Sequence, residues 1–454
     1  MGDAGLSRRE ALTSHAPYFP FPTCPMTRRL LVACTALGAL AVTVVNLSRA
    51  EAPPRHAALR PADRVRAASI DSIASPAAPG SAEPNLTVGP DGRVYLSWLE
   101  PANPGYSLRF AVHDGTRWSP AQTIVTRSDF FVNWADFPSL EVLSGNRLAA
   151  HWLQRNGAGT YAYGVRISQS ADGGKTWSPP VTPHRDSSQT EHGFVAMWHE
   201  GETLGAVWLD GRKFKKPVPG APASSGHDAG NEMMLVSTTL SSNGSLGREV
   251  RLDERTCDCC LNAAVMTSSG PIVAYRNRTH DEIRDIYVTR RVGGVWRAGT
   301  PVHNDQWKIA ACPVNGPALA ANGARVALAW FTAPGDSGRV NVAFSDHAGA
   351  TFGAPVRVDG GSPAGRVDVV LLPDGAALVT WVERVGGDVA AVRARRVGRD
   401  GSVGAPLTIA SSSAARSSGF PRSTVAGANV LFAWTVPGRP SAVRVARASV
   451  SEFR

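Results

Sequence analysis

One pattern returns along most of this chain. A short apolar strand ends in an aromatic, usually Trp, and a charged residue often follows. The copies are RVYLSWLE (Trp98), RLAAHWLQR (Trp152), TLGAVWLDGR (Trp208), PIVAYRNR (Tyr275), RVALAWFT (Trp330), ALVTWVER (Trp381) and NVLFAWTV (Trp434). Successive aromatics lie about 50–70 residues apart, the length of one four-stranded unit. A Gly-containing turn such as GPDGR or LPDGA precedes the aromatic strand. A further strand such as YSLRFAV or VNVAFSD follows it, then a turn and a WSPAQTI-like or FGAPVRV-like strand. Each unit therefore reads as four strands, a to d.

Helical periodicity is scarce, apolar runs are short, and Gly and Pro punctuate them throughout. The expectation is an all-β chain. Radial repetition of such units leaves only short, protected sheet edges, so the expected architecture is a β-propeller of four-stranded blades. Seven units are counted; six blades is the alternative if one unit is over-read. The last unit lacks its own strand d. The segment RAASIDSIA near residue 70 can supply it and close the ring.

Residues 1–50 read as a leader. Arg28 and Arg29 precede the uncharged run LLVACTALGALAVTVV, a positive segment before an apolar one, as in an export signal. Met26 offers a second start. Cleavage near Ala50 and retention of residues 30–47 as a membrane anchor both remain open. Either way the expected location is periplasmic or extracellular. Residues 51–80 are Ala/Pro/Arg-rich and read as a linker holding the possible closing strand. Residues 81–454 form the propeller. The net charge of +10 is spread without a basic cluster interleaved with aromatics, so nucleic acid is not an expected partner.

The octet Ser170, Asp172, Gly174, Thr176, Trp177 (S-x-D-x-G-x-T-W) lies between strands c and d of the second unit. Its residue types suit a tight turn: Asp accepts backbone N–H bonds, the glycines permit positive φ, and Trp plugs between sheets. Degenerate copies, SDHAGATF at Ser345–Phe352 and HDGTRW at His113–Trp118, hold the same place in other units. The octet resembles the Asp-box of the sialidase-like (BNR) propellers. Strand c ends on the face opposite the start of strand a, so this turn belongs to architecture. Any chemistry falls on the other face, at the starts of strand a and in the b–c loops.

About fifteen residues before each aromatic stand Phe137, Gly193, Cys260, Asn315, Arg366 and Gly419. Just behind the aromatics come Glu100, Asp210 and Arg212, Arg276 and Arg278, and Glu383 and Arg384. The resemblance implies a glycoside hydrolase acting on terminal acidic sugars: three arginines grip a carboxylate, a Tyr–Glu pair is the nucleophile, and an Asp is the acid/base. By position the candidate grip is Arg276, Arg366 and Arg422, the acid/base is Asp136, and the nucleophile pair is Tyr275 with Glu282. His192, Asp210 and Arg212 are further rim candidates for substrate contact. The F/Y-R-I-P motif that carries the first arginine in sialidases has no counterpart; EPNLTVGPDG stands there. A non-catalytic propeller that binds glycan or protein is the competing reading. The expected partner is a carbohydrate or glycoconjugate, no cofactor is needed, and the chain is expected to be a monomer.

Beyond the leader the chain has four cysteines: Cys257, Cys259 and Cys260 in CDCC, and Cys312 at the same level of the next unit. In an exported protein they are expected as disulfides, with at least one bridge to Cys312. A thiolate metal site for copper or zinc, with His192 nearby, is the other reading and would make the chain a metal- or redox-related propeller. Read as C-x-C-C, the run lacks zinc-type spacing.

Overall fold

The strands behind the repeated aromatics are buried on both faces. All side chains from Leu204 to Asp210 are buried, as are Val326 to Thr332. A strand buried on both sides reads as a near-continuous apolar run and must be sandwiched between sheets. Stacking sheets face to face around an axis does this for every unit. The computed structural model describes residues 69–214 and 232–454, and they form seven such sheets. The leader, the start of the linker and most of the Lys213–Asn231 insertion lie outside the described residues.

Blade 1 comprises Ala82–Val88, Val94–Pro101, Tyr106–His113 and Gln122–Arg127. Blade 2 comprises Ser139–Ser144, Arg147–Arg155 and Tyr163–Ser170, with Val181 pairing Ile167 at the outer edge. Blade 3 runs from His192–Glu200 to Val250–Thr256, and blade 4 from Ala263–Thr267 to Thr300–Pro301. Blade 5 runs from Ala318–Asn322 to Val356–Arg357, and blade 6 from Pro363–Leu371 to Leu407–Ser413. Blade 7 takes three strands from the C-terminal end, Arg422–Ala426, Asn429–Val436 and Ala442–Ser449. Its fourth is Asp71–Ile73, antiparallel to the last, with Asp71 opposite Arg447 and Ile73 opposite Val445. The closing strand is thus the one expected from RAASIDSIA, and the propeller begins inside the segment read as linker.

The core is divided the same way. Seven apolar clusters fill the seven spaces between neighbouring blades. Each takes side chains from two sheets; one packs Phe131, Tyr163 and Val165 against Met197, Trp208 and Val236. All seven repeat aromatics are buried, Tyr275 among them. A buried indole N–H needs an acceptor, and in three blades the repeat supplies one. Trp98 donates to Glu100 (2.7 Å), Trp208 to Asp210 (2.9 Å) and Trp381 to Glu383 (2.6 Å). The acid two residues after Trp, read above as a rim feature, is therefore part of the blade.

The octet closes a turn at the far end of strand Tyr163–Ser170. Gly174 N donates to Ser170 Oγ (2.8 Å), and Thr176 N and Oγ1 both donate to Asp172 (2.9 and 2.6 Å). Gly174 has φ +87°, and a Cβ there would overlap the ring of Phe110 in blade 1. Trp177 packs edge-on against the same ring. The motif joins two blades and faces away from the mouth where Tyr163 lies.

Candidate functional site

The inner strand of each blade starts at one end of the central channel, and several starts are strained. Glu83, Phe194, Val314 and Arg366 all have φ between +49° and +59°. Non-Gly residues seldom adopt this conformation, and it concentrates where function needs a particular placement. The pairing with the second strand slips at the same place in blades 1, 3 and 6. These bulges turn the first side chains of the inner strands toward the mouth.

Beside these starts three side chains converge: Asp136 ahead of the first strand of blade 2, Glu191 ahead of that of blade 3, and Tyr163 at the start of the third strand of blade 2. Tyr163 Oη lies 2.8 Å from Asp136 Oδ2 and 2.8 Å from Glu191 Oε1. Asp136 Oδ1 accepts from the backbone N–H of Phe194 (2.7 Å). A phenol has one proton and cannot donate to both carboxylates, so one carboxyl group must hold a proton of its own. Burial raises Asp136 to about 7, against hydrogen bonds from Tyr163 and Phe194 that pull it down. Burial also pushes Glu191 up, with the charge of Asp136 adding to it. A third carboxyl, Glu83, is raised by burial and by Asp136. Gly193 makes the cluster possible, because a Cβ there would overlap Asp136 Oδ2.

The opposite side of the mouth is cationic. Arg366 is buried, and its guanidinium lies 4.9 Å from the ring of Trp134, two residues before Asp136. It donates to the carbonyls of Ala415 and Gly419 and to Ser418 Oγ. Burial, together with the like charges of Arg384 and Arg416, lowers it to about 10. Arg384 and Arg416 are exposed and, among the described residues, make no ion pair. Trp134 also stacks on Phe420 (6.0 Å, 16°), so an aromatic bridge links the acidic and cationic sides. Below it the channel is lined by Asn85, Ser139, Asn262, Asp368 and Arg422.

The expected grip of three arginines is not assembled as such. Arg276 is buried and donates to the carbonyls of Asn315, Arg284 and Phe331, with Trp307 under its guanidinium. It braces three segments of blades 4 and 5. Arg422 lines the channel 3.4 Å from Asp368. The pair Tyr275 and Glu282 does not meet. Tyr275 donates to Asp253 (2.6 Å) and is held protonated by burial and that charge. Glu282 is bound by Arg278, Arg284 and Arg255. The charge-dense segment after Tyr275 is an ion-paired brace.

His192 is buried between Asp186 (3.0 Å) and Asp210 (3.4 Å), stacked on His184 at 4.0 Å. Burial opposes its protonation, but the two carboxylates prevail and raise it to about 9. Asp210 already accepts from Trp208 and Arg212, and Arg212 also holds Glu249 (2.7 Å). This network ties the rim of blade 3 together beside Glu191.

The cysteines do not form two disulfides. Cys259 is bridged to Cys312, joining blades 4 and 5, while Cys257 and Cys260 are buried free thiols 2.7 Å apart. Taken together, Cys257 and Cys260 have the C-x-x-C spacing that the C-x-C-C reading passed over.

Residues missed in the sequence are Tyr163, Glu191 and Glu83. The two acids had a positional signal: Glu83, Asp136, Glu191 and Asp258 each stand just before or at the start of an inner strand in blades 1 to 4.

No protein-family model matches this chain, and no curated protein matches it. Among solved structures it is similar to the NanB sialidase of Streptococcus pneumoniae, at 10% identity and TM-score 0.44, over 80% of this chain and 84% of that one. It is similar to a sialidase of Trypanosoma rangeli at 14% identity and TM-score 0.46, over 74% of this chain and 57% of that one. It is also similar to a protein of unknown function from Dyadobacter fermentans at 16% identity and TM-score 0.44, over 85% and 96% of the two chains. The neighbours are sialidases and related β-propeller proteins at low identity.

Proposed function

We propose that this chain is an exported, sialidase-like glycoside hydrolase acting on acidic sugars, with Asp136, Tyr163 and Glu191 as its reacting groups. The observation that carries the reading is the sharing of one phenol oxygen by two carboxyl groups at 2.8 Å each. Such a triad holds a mobile proton near neutral pH. Asp136, protonated up to about pH 7, can donate to a leaving glycosidic oxygen. Tyr163 can attack the anomeric carbon as its proton passes to the ionised member of the carboxyl pair, and water then releases the sugar with the roles reversed. Arg366, Arg384 and Arg416 supply the positive side of the mouth toward a sugar carboxylate. Export rests on the leader.

The burial of Tyr163 and Asp136 favours a second reading, a propeller that binds acidic glycans at the same mouth without cleaving them. Turnover of fluorogenic sialosides and a panel of uronides separates the two. Turnover by the purified chain that Asp136→Asn and Tyr163→Phe each reduce at least 100-fold, with melting unchanged, supports the hydrolase. Saturable binding of the same sugars without turnover by the parent supports the binding propeller.

A further inference from the structure

The four cysteines of the propeller meet at one point on the mouth, and the glycan reading uses none of them. They form two nested pairs. The outer one, Cys259–Cys312, is half-buried and bridges blades 4 and 5. The inner one, Cys257 and Cys260, lies beneath it with both side chains about 1% exposed. The Sγ atoms of Cys257, Cys259 and Cys260 all lie within 4.8 Å of one another.

Three buried arginines surround the inner pair. Arg284 Nη1 is 3.4 Å from Cys257 Sγ. Arg276 adds its charge, and Arg278 is held nearby by Asp258 at 3.0 Å. These guanidinium groups are fixed by other bonds: Arg276 to three carbonyls, Arg284 to Glu282 at 2.9 Å. They cannot leave to admit a metal ion. They also supply the positive charge that clustered thiolates would otherwise take from one. A thiol beside fixed cations is an activated nucleophile. Burial raises Cys257, but the contact with Cys260 and the charges of Arg284 and Arg276 outweigh it and lower the thiol overall. Cys260 stays a thiol.

We propose that Cys257 and Cys260 are a redox-active dithiol that exchanges with the Cys259–Cys312 disulfide, forming a thiol–disulfide relay between blade interior and mouth. The Cys257 thiolate attacks Cys259 Sγ. The Cys257–Cys259 bond forms, the Cys259–Cys312 bond breaks, and Cys312 leaves as thiolate, taking the proton of Cys260. The Cys260 thiolate then attacks Cys257 Sγ and releases Cys259 as thiolate. The disulfide has moved inward, with one thiol and one thiolate before and after and no change in electron count. The outer dithiol so exposed reduces a disulfide of an incoming protein or small molecule. It is itself oxidised back to Cys259–Cys312 as the partner leaves as two thiols.

The test equilibrates the full chain in glutathione buffers of graded GSSG/GSH ratio. Exchange is quenched with acid, thiols are alkylated, and disulfide-linked peptides are mapped. Both Cys259–Cys312 and Cys257–Cys260 are expected in the parent. In Cys312→Ser, Cys257–Cys260 should be the pair that GSSG forms. Arg284→Gln should move the pH midpoint of exchange upward by about one unit, because the thiolate loses its cation. Far-UV circular dichroism checks each fold. Cys257 and Cys260 remaining alkylatable thiols at every ratio, in both parent and Cys312→Ser, would overturn the relay. So would one equivalent of zinc or copper retained by the reduced chain and lost with the cysteines.

Discussion

Two tyrosines sit next to carboxylates in this propeller, in opposite surroundings. Tyr275 opens the most charged stretch of the chain, where the buried and half-buried acids have basic or backbone partners: Glu282 with three arginines, Asp285 with the N–H groups of Gln306 and Trp307. Tyr163 lies where charge is sparse in sequence, and among the described residues its two carboxyl neighbours pair with no arginine. Dense mixed charge neutralises itself and braces the fold. A few acids buried together without arginine partners keep protons that can be moved.

Substitutions at the two places should separate cleanly. Among single substitutions the largest effect is expected for Gly193→Ala, which places a methyl group on Asp136 Oδ2. It should cost roughly 3 kcal/mol of stability and abolish any turnover, read by urea unfolding and the sialoside assay. Next, Arg276→Ala leaves three buried carbonyls without their donor and should destabilise by about 3 kcal/mol. Glu282→Gln, by contrast, should cost only about 1–2 kcal/mol and leave sugar turnover or binding within two-fold. A turnover loss there as large as in Tyr163→Phe would erase the distinction between the regions.

The third expectation concerns pH. Asp136 keeps its proton to about pH 7 when folded, whereas an unfolded aspartate loses it near pH 4. Between those values the folded chain binds the extra proton. The stabilisation is therefore full below about pH 4 and is lost as pH climbs to 7, by up to about 4 kcal/mol. Denaturation midpoints at pH 4.5 and 7.5 should differ accordingly, and Asp136→Asn should flatten the difference. The smallest effect is expected at the octet. Asp172→Ala removes a turn acceptor and should lower the melting temperature by less than any change above, with no change at the mouth. Thermal melting beside the turnover or binding assay decides it.

The blades were legible because the repeat aromatic has one fate everywhere. From Trp98 to Trp434 it fills the space between sheets, so its spacing gave the blade count and the closing strand. The mouth was legible only to within a residue or two. Alignment on the aromatic stopped at Phe137 and Gly193, beside Asp136 and Glu191. The bulges at the strand starts shift which side chain faces inward, and no spacing rule carries that shift. Glu100, Asp210 and Glu383 were conspicuous for a different reason: an indole N–H needs an acceptor, and the pattern that looked like a rim was the repeat itself. Tyr163 gave no signal, since a tyrosine at the first position of a strand is ordinary until two acids from other strands arrive beside it.

The closing strand has a consequence for how the ring is made. Asp71–Ile73 pairs with residues near the other end of the propeller, Val445–Arg447. The first piece of the propeller to be synthesised must therefore wait for the last. Until then six blades can stack in order from neighbouring contacts, while the seventh stays open at its edge. Joining the ends closes the longest loop the chain contains, which makes it a slow and late step. A chain cut just before Ala82 should still build blades, but it would offer the unpaired edge of Ala442–Ser449 to any strand that comes near, including that of another copy.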